Sequence, residues 1–392
     1  MKKVIVILII FSLMFISFFI FKKDEEKINK NISVILETEE GNIETNTFPS
    51  KKDYEYLNTE CKNTSDFINT VFNENTWKLN LSVEEKSVDG KFNCTVHFKE
   101  KSKLADDVII RKYTENNTDG LIKLEQPETE QTPALVEYRY SGSNEEVKNY
   151  VEFNNETWRI IGVFSVDDGS GRYESRLKII RNDSIGNMYY NVNGTNNYLY
   201  STVNEYLNNN YYNSIETNFK NMIANSKYYL GAITNYEVKK EEMYEYERKI
   251  ENDNCNCTEG SSSTIICGPD VGCYYFDPPF MEPSPKYYIG KVGLMYPSDY
   301  GYAAGEECTE TLLRYNYSIC KNNNWIYSGE VEWFISPYPE RNIGAFGVSA
   351  SGSVSSGSVT NDFNAVRPVL YLKSSAKIIS GEGTLKNMYK LK

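Results

Sequence analysis

An apolar run, Val4 to Phe21, free of charge and broken only by the weakly polar Ser12 and Ser17, lies near the start of the sequence, and beyond it hydrophobic and polar positions alternate in short blocks. At about 1.5 Å per residue that run reaches roughly 27 Å, the depth of one hydrocarbon core, so it predicts a single transmembrane helix. The run ends Ser17, Phe18, Phe19, Ile20, Phe21, without the small residues of a signal-peptide cleavage site, and residues 1–23 therefore read as an uncleaved anchor. Residues 24–44 are charged and aperiodic, as expected of a juxtamembrane spacer. Over residues 45–100 the period becomes two. Trp77, Leu79 and Leu81 share one face of a strand, and Cys94, Val96 and Phe98 share another. This predicts a small all-β module of immunoglobulin-like kind. Residues 101–134 give a short helix over Leu104 to Tyr113, then a linker marked by Gly120, Pro127 and Pro133.

The segment 135–392 reads as one large domain. Val151 to Phe164 and Arg176 to Ile180 flank turn chemistry at Asp167, Asp168, Gly169, Ser170 and Gly171, which predicts a hairpin with Trp158, Ile160 and Phe164 on one face. The period then lengthens. Thr202 and Glu205 form a T-x-x-E capping pattern, and Ile215, Phe219, Met222 and Ile223 make one helical stripe behind Ser214. Tyr228 to Ile233 and Tyr287 to Tyr296 are strand-like, and Tyr296 to Gly301 reads as a turn. A cysteine-rich, Ser/Gly/Pro-rich insert occupies residues 251–285. Trp325 to Ser336, Gly344 to Val359 and Ala365 to Leu372 complete the strands, with a last hairpin around Gly381 to Gly383. Strands, then helices, then strands predict an α+β domain.

Charge and cysteines narrow the picture. The chain carries 54 acidic against 42 basic side chains, net −12, so it repels nucleic acid, and no nucleic-acid partner is expected. All eight cysteines lie beyond residue 60, which suits disulfides on the oxidising side of a membrane. The flanking lysines do not orient the anchor; the cysteines do, giving a single-pass protein of the cell membrane with its N-terminus cytoplasmic and the rest extracellular. A Cys61–Cys94 bridge would close a loop of about 34 residues and stabilise the small module by roughly 2 to 4 kcal/mol. Cys308 and Cys320 are expected to pair. Cys255, Cys257, Cys267 and Cys273 lack the paired C-x2-C hooks of zinc sites and have no histidine nearby, so disulfides within the insert are favoured over metal.

Particular phrases carry a resemblance. Tyr138-Arg-Tyr-Ser-Gly, Trp158-Arg-Ile-Ile-Gly-Val-Phe, Lys178-Ile-Ile-Arg, Tyr228-Tyr-Leu-Gly, Lys291-Val-Gly-Leu-Met-Tyr-Pro-Ser-Asp-Tyr-Gly-Tyr and Val366-Arg-Pro-Val-Leu-Tyr-Leu resemble, in the same order along residues 135–392, uncharacterised surface proteins of Gram-positive-type gut bacteria. That family is similar to the C-type-lectin-like fold shared with formylglycine-generating enzymes and with variable receptors of diversity-generating retroelements. The segment with Cys61, Trp77 and Cys94 resembles small β repeats that precede such domains. The resemblance implies a binding scaffold for a glycan or protein ligand and assigns no catalytic residue. It also implies that the region before the final strand, Ser349 to Asn364, displays ligand contacts.

The residues themselves offer little catalytic chemistry. The one histidine, His97, lies on a strand of the small module, so a histidine base is excluded from the large domain. Asp167 with Asp168 and Glu306 with Glu307 are adjacent pairs whose side chains diverge on a strand, and no enzymatic activity is expected. Trp158 and Trp77 read as core. Trp325 and Trp333 adjoin polar or proline-rich segments and are candidates to present an aromatic face to a ligand. Asn361, Asp362 and Asn364 are candidate ligand contacts, and they would also be the place for calcium, although no fixed ligand spacing supports a metal and no cofactor is expected. A membrane-anchored recognition protein is the leading expectation. An envelope enzyme with an unrecognised carboxylate site and a self-associating structural envelope protein are the alternatives.

Overall fold

The computed structural model describes residues 29–62, 68–83, 91–116, 118–233, 237–250, 264–266, 274–276, 286–339 and 343–392. It divides into two compact units, Met1–Ser102 and Lys103–Lys392.

The first unit is all β among its described residues. Its strands are β1 (Asn29–Thr38), β2 (Gly41–Thr45), β3 (Tyr54–Lys62), β4 (Ile68–Asn73), β5 (Lys78–Val83) and β6 (Lys91–Glu100). One sheet runs β2-β1-β6-β3, with β1 and β6 parallel, and β4–β5 is a separate hairpin. Alternation along β6 sends Val96 and Phe98 into a small core with Val34, onto which Phe72, Trp77 and Leu79 pack. The disulfide Cys61–Cys94 joins β3 to β6, as the spacing predicts. The segment read as a spacer carries β1 and β2 instead. Its alternation, Ile32, Val34 and Leu36, is a strand face hidden among charged neighbours.

The second unit opens with α1 (Ala105–Thr114), β7 (Leu121–Gln126), β8 (Leu135–Tyr140), β9 (Tyr150–Phe153), β10 (Glu156–Asp167) and β11 (Tyr173–Arg181). Next come β12 (Ser226–Tyr229), α2 (Lys240–Glu247), β13 (Thr264–Ile266), β14 (Tyr274–Phe276), β15 (Tyr287–Gly290), β16 (Val292–Gly293) and α3 (Pro297–Ala303). The chain ends with β17 (Glu332–Pro337), β18 (Gly344–Val348), β19 (Val354–Ser358), β20 (Val369–Tyr371), β21 (Ile378–Ser380) and β22 (Tyr389–Leu391). A nine-stranded sheet follows the order β16-β20-β11-β10-β9-β22-β21, with β8 also pairing β10 and β7 pairing β8. β17-β18-β19 form a second, three-stranded sheet. The expected hairpin is β10–β11, where the Asp167 carboxylate accepts from the Gly169 and Gly171 amides and so makes the turn. Trp158, Ile160 and Phe164 are all buried.

Several expectations are corrected. The architecture is mostly β, 40% strand against 17% helix, and this overturns the α+β, C-type-lectin-like assignment together with its immunoglobulin-like module. The two helices expected over 202–223 are present, as a run Thr202 to Ser214 that takes a π-helical turn at Tyr206–Tyr211 and a shorter turn Thr217–Lys220, which starts behind Glu216 and not behind Ser214. The turn expected at Tyr296 to Gly301 is helix α3, and the linker contains β7. Finally, among the described residues no helix is long and apolar enough to cross a membrane. The anchor at residues 4–21 lies outside the described residues, so neither a transmembrane helix nor a single-pass membrane location is supported.

Candidate functional site

The sequence-predicted residues part company in the structure. Trp325 is 4% exposed and its indole N–H donates to the Tyr140 carbonyl; Trp333 is 1% exposed and donates to the Met188 carbonyl. Neither ring faces solvent. Core packing takes them because each sits where two segments meet and each N–H finds a backbone acceptor there. Asn364 is buried as well, with its side-chain oxygen unpartnered. Asn361 is half-buried and Asp362 exposed, so these two alone of the set reach the surface. Cys308–Cys320 forms, buried at both ends, as expected. Cys255, Cys257, Cys267 and Cys273 lie outside the described residues. Among the described residues no group of three or more His, Cys, Asp or Glu is placed to hold a metal ion.

The Ser/Gly run 349–358 is a tight hairpin end, not an open display loop. The Ser349 amide donates to the Ser353 carbonyl and the Gly352 amide to the Ser349 carbonyl. Small residues are required by packing. A Cβ on Gly347 would stand 2.5 Å from the Glu332 carbonyl oxygen, and one on Gly357 would stand 3.3 Å from the Trp333 ring.

Beside this hairpin three segments lie edge to edge. Asn191 donates to the Val359 carbonyl, Val359 donates to the Ile343 carbonyl, and Met188 donates to the Asn364 carbonyl. Large apolar side chains stay in water along these segments: Tyr189 at 37%, Val192 at 55%, Ile343 at 49% and Phe363 at 56%. The Tyr189 hydroxyl donates to the Asp362 carboxylate at 3.4 Å, a side-chain tie between the segment at 188–192 and the middle segment at 359–364. Asn361 lies two residues before Phe363 on the same turn. The rim thus combines two exposed aromatic rings with an amide, a carboxylate and a phenol. Sequence reasoning found Asn361 and Asp362 but missed Tyr189 and Phe363. The signal was an aromatic residue set between Asp362 and Asn364 in a polar turn.

A second cluster is sealed inside the unit. Arg139 on β8 donates to Glu137 at 2.9 Å and to Asp299 at 3.2 Å, and Lys178 on β11 donates to the other oxygen of Asp299. Asp299 also accepts from the Tyr296 amide at 2.9 Å, holding the first turn of α3. Glu247, at the end of α2, accepts from the Ser298 amide and hydroxyl and pairs with Arg248. All six charged groups are buried, three of each sign. Burial drives the Glu247 carboxyl up to about 7, against the pull of Arg248 and Ser298. Burial likewise draws the Lys178 ammonium down to about 8, although Asp299 opposes it. Burial opposes the Asp299 charge, but Lys178 and Arg139 outweigh it and hold that carboxyl below its ordinary range. Perturbed groups of this kind mark many catalytic centres. Here Lys178 and Glu247 are both 0% exposed, so a substrate would have to open the core to touch them. The cluster clamps α2 and α3 to the large sheet.

No family model, curated protein or solved structure matches the chain.

Proposed function

We propose that the chain is a recognition protein whose second unit binds a glycan at the rim made by Tyr189, Val192, Ile343 and Asn361 to Phe363. The observation that carries this reading is Phe363, more than half in water, next to Asp362 and within the same turn as Asn361. Leaving several large apolar side chains exposed together forfeits burial worth roughly 1.5 to 3 kcal/mol for each, and folded chains concentrate such exposure at interaction surfaces. A sugar ring has an apolar C–H face and an edge of hydroxyls. Aromatic rings answer the first, and amide, carboxylate and phenol groups answer the second. Among the described residues each unit holds one internal disulfide, which suits a binding protein that folds under oxidising conditions.

Probing the purified full chain on a glycan array tests the reading. Dose-dependent binding to a family of related glycans is expected. An array without hits, with capture of a defined protein through the same rim, would assign the surface to a protein ligand instead.

A further inference from the structure

The two disulfides among the described residues occupy opposite kinds of site. Cys308 and Cys320 are 1% and 0% exposed, and both belong to the main core of the second unit. Cys61 and Cys94 instead stand directly opposite each other on antiparallel neighbours, β3 and β6, in the first unit. Their Cα atoms are 4.1 Å apart. Opposed residues of an antiparallel ladder lie about 4.5 Å apart in the narrow pairs and about 5.5 Å in the wide ones, whereas most disulfides span about 4.4 to 6.8 Å. This bridge therefore crosses a narrow pair and draws it in.

Position adds to geometry. β3 is an edge strand of the sheet β2-β1-β6-β3, with β6 as its one partner in that sheet. Cys94 is buried, but Cys61 is half-buried, and the pair lies one register step from the strand's last residue, Lys62. The core behind it is small, built on Val34, Val96 and Phe98. Exchange requires a thiolate to reach one sulfur, so access decides which bridge opens first.

We propose that Cys61–Cys94 is a redox-responsive link that dithiols open under native conditions while Cys308–Cys320 stays closed, unlocking the end of edge strand β3. A dithiol thiolate attacks the Cys61 sulfur, the S–S bond breaks, and Cys94 leaves as a thiolate that takes up a proton. The second thiol of the reagent then displaces Cys61. The protein gains two electrons and two protons, and the reagent leaves as its cyclic disulfide.

The test uses the full chain, titrated with dithiothreitol in native buffer, quenched by alkylation and read by peptide-resolved mass spectrometry, which separates these four cysteines from those of the insert. Cys61 and Cys94 are expected to be alkylated at least tenfold faster than Cys308 and Cys320, and limited proteolysis is then expected to cut within residues 54–62 first. Equal rates, or earlier labelling of Cys308 and Cys320, would overturn the proposal. The double variant Cys61→Ser with Cys94→Ser separates the link from side effects of the reductant. It should be cut in β3 as readily as the reduced wild type, and resistance equal to that of the oxidised protein would show that the bridge does not secure the strand.

Discussion

Asp299 shows how much a single buried side chain holds together. It accepts from Arg139, Lys178 and the Tyr296 amide, so one carboxylate joins β8, β11 and the start of α3. Replacing it with Asn leaves two buried cations short of a counter-charge, and breaking such a pair costs about 3 to 5 kcal/mol. Urea unfolding of Asp299→Asn should show a loss of that size, whereas a change within experimental error would mean that solvent reaches the cluster. Glu247 makes a second, pH-dependent prediction. An unfolded glutamate gives up its proton near 4.5, while burial keeps Glu247 protonated up to about 7. Between those values the folded state binds more protons than the unfolded one, so this residue's contribution to stability falls as pH rises through the window. Glu247→Gln keeps the shape and removes the titration. It should flatten the stability profile between pH 4.5 and 7. An unchanged slope in the variant would place the titration elsewhere.

At the scale of elements, strand β10 depends on a residue with no side chain. A Cβ on Gly162 would stand 2.2 Å from the Tyr138 carbonyl oxygen, at the point where β8 pairs with β10 and the β10–β11 register shifts. Gly162→Ala should push the two strands apart and cost about 1 to 3 kcal/mol, read as a lower thermal midpoint. An unshifted midpoint would mean that β8 yields freely there. Strong periodicity made such elements legible in the sequence: the β10–β11 hairpin, helix α1 and β6 follow from their patterns. The π-helical turn at Tyr206–Tyr211 did not, because Asn208 spends its amide on the backbone of Val292, donating to the carbonyl at 2.9 Å and accepting from the amide at 3.1 Å. A side chain standing in for a strand partner leaves no periodic trace. α3 was hidden for a related reason: Pro297 reads as a turn residue, yet it opens a helix as well as it ends one.

For the whole molecule, the two units are each organised around their own core, and the features that bear on function lie at surfaces that burial alone reveals. Trp325 and Trp333 looked available because their sequence neighbours are polar or proline-rich, but those neighbours say nothing about the distant segments that cover the rings. Asp362 and Asn361 were legible because polar turns stay wet. Phe363 and Tyr189 were not, since an aromatic residue in so Tyr-rich a chain carries little weight until its exposure is known. The account rests on that rim, and calorimetric titration of an array-selected glycan into the wild type, Phe363→Ala and Asp362→Ala, with unfolding curves for each, tests it most directly. The account predicts that each variant binds at least tenfold more weakly, about 1.4 kcal/mol, with its stability unchanged. Wild-type affinity in both variants would contradict it.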